Sequence, residues 1–449
     1  MDLLLTHGYF VAEDPKEQRI MKPYPPLGIL YLSSHLRRAG FGVEIHDSTF
    51  SARGDLFRVL DSERPSVLGV YGNLLTRSEV VRIAEYAKQR GWFVVLGGPE
   101  PSNYPEQYLD AGADAIVRGE GEIAMTALLA RLKAGGALSE DLPSLIYRAP
   151  DGSIVHTAAA PLIGDLDAQP WPDRERIDIA RYVQTWRDRH GQGSLSVITA
   201  RGCPYRCRWC SHSVYGMTHR RRSAADVADE VEFLLRRYEP DMLWMADDVF
   251  TIHHGWLFEY AREMRRRGLR IPFECITRAD RMNERVAATL VELGCMRVWI
   301  GSESGSQKIL DAMERGVTVE QVQKAVDLCR AAGIETGMFI MWGYEGEQME
   351  DVEATIAHVK KCSPETCLTT VSYPIRGTPY YEDVHSKLIS IGNWRESTDR
   401  NIAVRGRHSR RFYQFADELL RAETAPLPDA ARIASARAGL AETLHEVEA

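Results

Sequence analysis

Arg201-Gly202-Cys203-Pro204-Tyr205-Arg206-Cys207-Arg208-Trp209-Cys210 is the most informative stretch of this chain. It places three cysteines in the spacing C-x3-C-x2-C. Iron–sulfur clusters are usually held by four cysteines, so three thiolates leave one iron of a four-iron cluster without a protein ligand. Because an open coordination position is typical of catalytic metals, the spacing predicts a catalytic metal centre held by Cys203, Cys207 and Cys210.

Two other interpretations of these cysteines stay open. A zinc site needs four ligands, and His212 is the candidate for the fourth, but Cys207 and Cys210 form the only C-x2-C pair. A disulfide needs an oxidising compartment, whereas the N-terminus lacks the basic start of a signal peptide. We therefore expect a cytoplasmic protein, and we favour the cluster over zinc and zinc over a disulfide.

The bulk composition narrows the class of protein. The chain has 449 residues, enough for two or three domains, and a formal net charge of -8, which argues against a general nucleic-acid binder. No stretch approaches the roughly 20 consecutive apolar residues of a membrane helix. We expect a globular protein with a small-molecule substrate, no nucleic-acid partner and no membrane span.

Outward from the cysteines, residues 191–385 alternate short apolar strands with helical patterns. Six strands with interleaved helices predict a partial (β/α)6 barrel, in which chemistry sits at the carboxyl ends of strands. The cysteine loop follows the first of them. The predicted strands are 197–199, 242–245, 273–276, 298–300, 338–341 and 369–371, and the predicted helices are 224–237, 257–267, 283–293, 307–314, 319–332 and 349–361.

Residues 1–135 show a second α/β pattern, with a predicted helix at 26–40. Strands separated by helices predict a doubly wound, flavodoxin-like parallel sheet, which binds ligands beyond the carboxyl ends of its strands. The predicted strands are 3–5, 43–45, 67–70, 93–96 and 115–117, and the informative loops are 71–76, 97–102 and 118–122.

The remaining regions have weaker patterns. Residues 136–190 contain turn-favouring prolines and aspartates, as in 165–172, and we predict a linker there. Residues 386–449 are predicted as a C-terminal helical segment, with one apolar helix at 412–420.

The cysteine spacing, the loops 24–28, 71–76, 97–102 and 118–122, and the segments after the barrel strands together resemble the cobalamin (B12)-binding-domain radical S-adenosylmethionine (SAM) family, over residues 1 to about 381. The resemblance implies a [4Fe-4S] cluster whose open iron chelates SAM, and a cobalamin bound by the first domain. It also implies reductive cleavage of SAM to a 5'-deoxyadenosyl radical, which removes a hydrogen atom from substrate.

The resemblance assigns SAM contacts to the segments that follow successive barrel strands. Residues 246–248 stand where the family receives the SAM amino group, and 302–303 where it holds the ribose. Arg278 is predicted to pair with a carboxylate or phosphate, and Tyr344 belongs to the adenine-side loop. The alternatives are that the aspartates cap a helix and that the glutamate pairs with a nearby arginine. The predicted SAM-binding residues are Ala246, Asp247, Asp248, Arg278, Ser302, Glu303 and Tyr344.

The resemblance likewise assigns cobalamin contacts to the first domain. Gly97 and Gly98 let backbone approach a flat ring closely, although any tight turn uses glycine in the same way. The chain has no D-x-H-x-x-G motif, so a bound cobalamin lacks a histidine below the cobalt. The predicted contacts are Asn73, Leu74, Leu75 and Thr76 at the lower face, with Gly97, Gly98 and Glu120.

The function implied by the resemblance is C-methylation of an unactivated carbon of a small metabolite or natural-product intermediate, with an external electron donor such as flavodoxin or ferredoxin. The alternatives are a non-methylating member that forms or contracts a ring, a radical SAM enzyme without cobalamin, and a non-catalytic metal-binding protein. A methylthiotransferase is disfavoured, because no cysteine precedes Cys203 to bind a second cluster.

Overall fold

The computed structural model describes residues 1–389 and 392–448 and builds them around two large sheets. The first sheet has the order β2-β1-β3-β4-β5-β6-β7, with parallel pairing through β5 and antiparallel pairing for the last two strands. Its strands are β1 (Leu3–His7), β2 (Val43–Ile45), β3 (Val67–Tyr71), β4 (Phe93–Gly97), β5 (Ala115–Val117), β6 (Leu145–Arg148) and β7 (Ile154–His156).

Both faces of the first sheet are covered by helices. Leu3 and Leu5 pack into one buried cluster, while Leu4 between them packs into another on the opposite face. Successive side chains of a strand point to opposite faces, so a continuous apolar run is what a strand buried on both sides requires. The flavodoxin-like arrangement predicted for this half is confirmed.

The second sheet is parallel and has the order β8-β11-β12-β13-β14-β15, the six-stranded arrangement predicted for the barrel. A separate antiparallel pair, β9 with β10, lies between its first two strands in sequence. The bounds are β8 (Ser194–Val197), β9 (Ala200–Arg201), β10 (Arg220–Arg221), β11 (Met242–Met245), β12 (Phe273–Thr277), β13 (Cys295–Glu303), β14 (Glu335–Trp342) and β15 (Thr366–Val371).

The helices follow the strands and cover the outer faces of the sheets. The α-helices are α1 (Pro15–Ile20), α2 (Leu27–Arg38), α3 (Arg53–Ser62), α4 (Arg77–Lys88), α5 (Pro105–Asp110), α6 (Gly121–Lys133), α7 (Ile179–His190), α8 (Ala224–Tyr238), α9 (His254–Arg266), α10 (Glu284–Leu293), α11 (Gln307–Ala312), α12 (Val319–Ala331), α13 (Met349–Cys362), α14 (Pro379–Val384), α15 (Arg410–Glu423) and α16 (Ala430–Thr443). Single 3-10 turns occur at Val11–Glu13, Pro101–Asn103, Arg174–Arg176, Ala279–Arg281, His385–Lys387, Trp394–Glu396 and Asp399–Asn401. None of the helices in the described ranges has the length and apolar composition needed to cross a membrane.

The range 136–190 differs from the linker that we predicted. It contributes β6 and β7 to the edge of the first sheet, and it contains α7. These strands have only three or four residues each and pair antiparallel, so they leave no helix-spaced apolar pattern in the sequence. The first barrel strand also begins earlier than predicted, at Ser194, and ends at Val197 before the cysteine loop.

The C-terminal segment contains a short two-stranded sheet of β16 (Leu388–Ile389) and β17 (Ala403–Val404), then α15 and α16. The helical C-terminal segment that we predicted is confirmed, and the apolar helix predicted at 412–420 lies within α15. The segment also reaches back to the first domain, because Arg77 pairs with both Glu100 and Asp399 while all three side chains are buried. The Trp394 ring lies 5.1 Å from the same guanidinium.

Candidate active site

The cysteine loop leaves the second sheet at the carboxyl end of β8. Gly202 starts the loop with φ of +87°, and a Cβ at this position would lie 2.5 Å from the Thr218 carbonyl oxygen, so only glycine fits. All three cysteines are free thiols; Cys203 is half-buried, Cys207 is buried and Cys210 is exposed. The loop therefore presents its thiols where barrel chemistry is expected.

Asp247 holds the chain segment that leads into this loop. The carboxylate is 2% exposed and accepts hydrogen bonds from the backbone N–H of Thr199 at 2.7 Å and of Ala200 at 3.1 Å. It also pairs with Arg221 at 2.6 Å. These contacts place Asp247 in support of the loop, and the SAM contact that we predicted for it stays a prediction.

Asp248, the next residue, points elsewhere. Its side chain is partly accessible to solvent, and no hydrogen bond or ion pair to it occurs among the described residues. Partial loss of solvent, and then the charge of Asp247, raises the pKa of Asp248. Burial is the main cause that raises the pKa of Cys203 and of Cys210, and the charge of Asp248 raises both pKa values further. Asp248 is thus an available carboxylate beside the thiols. Ala246 is half-buried, and its N–H bonds to the carbonyl of Val197 at 2.8 Å.

Glu303 is the second available carboxylate near the thiols. It ends β13 with φ of +64°, an uncommon conformation for a residue with a side chain. Burial raises the pKa of its carboxyl group, whereas Arg315 lowers it. The Arg315 Nε lies 4.0 Å from Oε1, and the described residues supply no hydrogen bond to this carboxylate. A buried acid without a hydrogen bond is suited to receive one from a ligand.

Two arginines contact the sulfur of Cys207. Arg278 Nη1 lies 3.9 Å from Sγ, and Arg315 Nη1 lies 3.6 Å from it. Arg278 also donates to Asp280 and to the Arg315 carbonyl, both at 2.9 Å. Arg278 thus contacts the cysteine loop, and the pairing with a carboxylate or phosphate of a ligand stays a prediction. Arg315 was missed from the sequence, because it follows α11 in a turn that carries no recognisable motif.

Ser302 and Tyr344 are both packed inside the protein. Ser302 is fully buried and its hydroxyl lies 3.1 Å from Nε2 of His358 on α13. Tyr344 is 3% exposed and stacks on Tyr380, with ring centroids 4.5 Å apart. Trp209, from the cysteine loop, lies edge-on to Tyr344 at 6.5 Å. Tyr344 thus belongs to the buried cluster against which Trp209 of the cysteine loop packs.

The three cysteines suit a cluster of several irons, in which each thiolate binds a different iron. In residues 1–389 and 392–448 no three His, Cys, Asp or Glu side chains converge as ligands of one metal ion, and this includes His212 with the cysteines. A four-iron cluster takes one thiolate per iron, so its thiolates do not meet at a single point. Three free thiols on one glycine-started loop, with two guanidinium groups against one of them, fit such a cluster.

A cavity of about 340 Å³ lies at the carboxyl ends of the first sheet. Its walls are mostly apolar and include the loop after β4 together with Val214 and Tyr215 from the segment that follows the cysteine loop. The cavity is therefore built by both halves of the chain. Its size and its flat apolar walls fit the ring of a nucleotide-like cofactor tail.

Gly97 and Gly98, which we predicted to contact cobalamin, both line this cavity. Gly98 has φ of +104°, and a Cβ there would lie 2.3 Å from the Gly72 carbonyl oxygen and 3.0 Å from the Tyr71 ring. Glycine is therefore required at Gly98, and its bare backbone forms part of the cavity wall.

Glu120 lies at the edge of the same cavity, but its carboxylate is used within the protein. It accepts from Arg201 and Arg220, each at 2.8 Å, and from the Ile163 N–H at 3.1 Å. Glu122 pairs with the other amino group of Arg201 at 2.7 Å. Because Arg201 immediately precedes Gly202, these ion pairs join the first domain to the start of the cysteine loop. The contact between Glu120 and cobalamin stays a prediction, and Glu120 also lines the cavity.

The segment 73–76 follows β3 and lies outside the cavity wall. The side chain of Asn73 accepts from the N–H groups of Leu75 at 2.9 Å and Thr76 at 3.2 Å, which makes a compact turn before α4. Thr76 is buried and Leu74 half-buried, whereas Leu75 is 56% exposed. Leu75 is the member of this segment whose side chain is available to cover a ligand.

The inner face of the second sheet carries half-exposed aromatic side chains, among them Trp244, Trp299 and Phe339. Their strand neighbours pack against the helices on the other face. The rings of Trp299 and Phe339 stack at 5.2 Å, and Trp299 Nε1 donates to Glu274 at 2.7 Å. A Cβ on Gly337 would lie 2.3 Å from the Trp299 ring, so the missing side chain makes room for the indole.

The aromatic face formed by Trp244, Trp299 and Phe339 is covered by other aromatic rings at one edge and exposed to solvent at the other. Tyr24, from the loop before α2, lies 6.4 Å from Trp244 and 5.0 Å from Trp186. At the opposite edge, Leu368 of β15 is 49% exposed. The inner face is thus a partly enclosed, largely apolar space below the carboxyl ends of the barrel strands.

Two family models match the chain: the radical SAM superfamily over residues 197–359, and the B12 binding domain over residues 19–129. The chain is also 31% identical over 396 residues to an uncharacterized methyltransferase, PH0819, of Pyrococcus horikoshii, covering 86% of this chain and 84% of that protein. The chain belongs to the radical SAM superfamily. It is the kind of radical SAM enzyme that carries a B12-binding domain, so its cofactors are a [4Fe-4S] cluster, SAM and cobalamin.

More distant relatives of this radical SAM enzyme have different names. It is 26% identical to an anaerobic magnesium-protoporphyrin IX monomethyl ester cyclase of Rubrivivax gelatinosus, covering 81% of this chain and 67% of that one. It is 27% identical to a hopanoid C-3 methylase of Methylococcus capsulatus, covering 79% and 67%.

Among solved structures, the radical SAM methyltransferase TsrM of Kitasatospora setae has a TM-score of 0.72 at 23% identity, over 86% of this chain and 77% of that one. The cobalamin-dependent SAM radical enzyme OxsB has a TM-score of 0.73 at 19% identity, over 94% and 66%. At these identities the likeness shows that the fold is shared.

Proposed function

We propose that this radical SAM enzyme is a cobalamin-dependent methyltransferase that acts on an unactivated carbon of a small molecule. The observation that carries the proposal is the cavity at the first sheet, because its wall is completed by Val214 and Tyr215 just beyond the cysteine loop. If this cavity holds part of cobalamin, the cofactor lies beside the three-thiol loop. The relatives named as methyltransferase and as hopanoid C-3 methylase support the same chemistry.

Each cofactor would be held by groups already described. When bound, the cluster, SAM and cobalamin together supply one-electron cleavage of SAM and a transferable methyl group. Cys203, Cys207 and Cys210 would hold the cluster. Asp248 would accept hydrogen bonds from the SAM ammonium, and Glu303 from its ribose hydroxyls, because both carboxylates lie near the thiols and lack hydrogen bonds among the described residues.

The first domain would hold cobalamin, with Gly98 in the wall of its cavity and Leu75 as the side chain that covers a face of the corrin. We propose that this domain extends to His156, where β7 ends, and that the radical SAM domain comprises the sheet from Ser194 to Val371. We also propose that a one-electron donor such as flavodoxin or ferredoxin reduces the cluster, since the chain carries one three-cysteine motif and no second cluster motif.

The inner face of the second sheet would hold the substrate. Trp244, Trp299 and Phe339 offer flat apolar surfaces at the barrel's inner side, and the open edge at Leu368 admits a molecule from solvent. Aromatic faces bind flat or apolar groups and exclude water from a radical site.

A second candidate is a reaction that forms a ring without methylation, favoured by the likeness to the cyclase of Rubrivivax gelatinosus. Methyl transfer to cobalamin separates the two candidates. The reconstituted enzyme would be incubated anaerobically with reduced cobalamin and SAM that carries a deuterated methyl group. Labelled methylcobalamin, followed by labelled carbon-methyl groups in a pool of small molecules, supports the methyltransferase. Formation of 5'-deoxyadenosine without any labelled methylcobalamin would favour the second candidate.

A further inference from the structure

Among the three cysteines of the loop, Cys207 is distinguished by its side-chain contacts. Guanidinium N–H groups from Arg315 and Arg278 approach its sulfur at 3.6 Å and 3.9 Å. Within the described residues, no side chain donates a hydrogen bond to Cys203 or to Cys210. The positive charge beside the loop is therefore concentrated at one thiol.

Both arginines are fixed in place and are nearly inaccessible to water. Arg278 is 2% exposed, lies against the ring of Tyr205 at 3.6 Å and pairs with Asp280. Arg315 is 7% exposed and donates to the Gly301 carbonyl at 2.9 Å. A buried, immobile charge is only weakly screened, so its effect on a neighbouring sulfur is strong.

The charge of Arg315 is only partly balanced. Its closest carboxylate is Glu303 at 4.0 Å, and its buried Nε has no hydrogen-bond partner among the described residues. Burying an arginine without a close partner is costly, so its retention at this position calls for a role that the packing alone does not supply.

We propose that Arg315 and Arg278 raise the reduction potential of the cluster by donating to the Cys207 sulfur. The proposal rests on the cluster assigned above. Reduction adds one electron from the external donor to the cluster and transfers no proton. Hydrogen bonds and positive charge at the cluster sulfurs stabilise the reduced form more than the oxidised form. The two arginines are positioning residues for electron entry, and they make the cluster easier for a mild donor to reduce.

The test is the midpoint potential of the cluster, measured by anaerobic EPR-monitored redox titration at matched iron and sulfide content. The variants are Arg315→Gln, Arg278→Gln and Arg315→Lys, with Arg281→Gln as the matched control. Arg281 belongs to the same 3-10 turn as Asp280 and lies 5.7 Å from the Tyr205 ring, but it makes no contact with a thiol.

Arg315→Gln and Arg278→Gln should each lower the ratio of reduced to oxidised cluster by about tenfold at a fixed solution potential. For a one-electron couple this corresponds to a midpoint potential that is lower by about 59 mV. Arg315→Lys should also lower the midpoint potential, but by less. The positive charge stays, whereas the planar guanidinium with its several N–H donors is lost. Arg281→Gln should leave the potential unchanged.

Wild-type potentials in Arg315→Gln and Arg278→Gln, at full iron content, would overturn the proposal. An equal shift in Arg281→Gln would also overturn it, because the effect would then follow general surface charge. If Arg315→Gln does not retain iron, Arg315→Lys and Arg278→Gln decide the question, and an unchanged potential in both contradicts the proposal. Failure of the wild type to hold a four-iron cluster would instead contradict the proposed function, so the two failures are distinguishable.

Discussion

Each large sheet has a ligand-facing edge at the carboxyl ends of its parallel strands, which we call its mouth. The side chains at the two mouths differ in chemical character. At the first sheet, charged groups such as Glu120 are neutralised by arginines, and the cavity wall is apolar and rich in bare backbone. At the second sheet, Asp248 and Glu303 lie near three thiols and receive no hydrogen bond from residues 1–389 and 392–448. The first mouth is suited to enclose the apolar ring of a cofactor tail by shape, and the second to bind small polar groups and a metal cluster by charge.

This contrast predicts the largest effect at the thiols. Replacing Cys203, Cys207 or Cys210 with alanine should abolish cluster binding and SAM cleavage, measured as iron content and 5'-deoxyadenosine, because each thiolate holds one iron. Cys367→Ala, on β15, is the control and should retain iron and cleavage. If any of the three loop variants cleaved SAM at the wild-type rate, the second mouth would not be a metal site that depends on these cysteines.

The neighbouring aspartates should separate support of the loop from ligand binding. Asp247→Asn leaves Arg221 buried without its partner and should cost about 3 kcal/mol of stability, seen as a lower Tm and loss of iron. Asp248→Asn should keep the Tm and the iron but weaken SAM binding about tenfold, because one charge-assisted hydrogen bond is lost. Calorimetric titration with SAM measures the second effect. Similar outcomes for the two variants would contradict the division of roles.

The shape of the first mouth can be tested by adding one methyl group. Gly98→Ala should weaken cobalamin binding at least about tenfold, since the new Cβ meets the Gly72 carbonyl oxygen in the cavity wall. Gly112→Ala is the matched control, because Gly112 has φ of +103° but lies outside the cavity. Both variants should lose some stability, and only Gly98→Ala should lose cobalamin absorbance. Normal cobalamin binding by Gly98→Ala would rule out this cavity as the site.

The smallest effect concerns the packing around Ser302, a predicted SAM contact whose hydroxyl lies against His358. Burial lowers the pKa of its partner His358 from 6.5 to about 4. The unfolded chain therefore binds a proton that the folded chain does not between those values, so stability is lost as pH falls from 6.5 towards 4. In His358→Gln, the dependence of Tm on pH over this window should be shallower. An unchanged slope would contradict the buried neutral histidine.

The same contrast explains which features could be predicted from sequence. The C-x3-C-x2-C spacing and the apolar strands are local patterns, so the loop and both sheets were found. Asp247 and Asp248 have the same chemistry, and only their opposite side-chain directions separate support from availability. The roles of Glu120 and Arg315 depend on partners that lie far away along the chain, namely Arg201 and the thiol of Cys207. Short antiparallel strands such as β6 and β7 leave too little pattern to be distinguished from a linker.

The central claim is that Cys203, Cys207 and Cys210 hold three irons of the cluster and leave the fourth iron free to bind SAM. The most direct measurement is electron–nuclear double resonance on the reduced cluster with SAM labelled at its amino nitrogen. We predict a hyperfine coupling between the cluster and the label, which weakens in Asp248→Asn in proportion to the lost SAM occupancy. A saturated complex without any such coupling would contradict an iron held open by Cys203, Cys207 and Cys210.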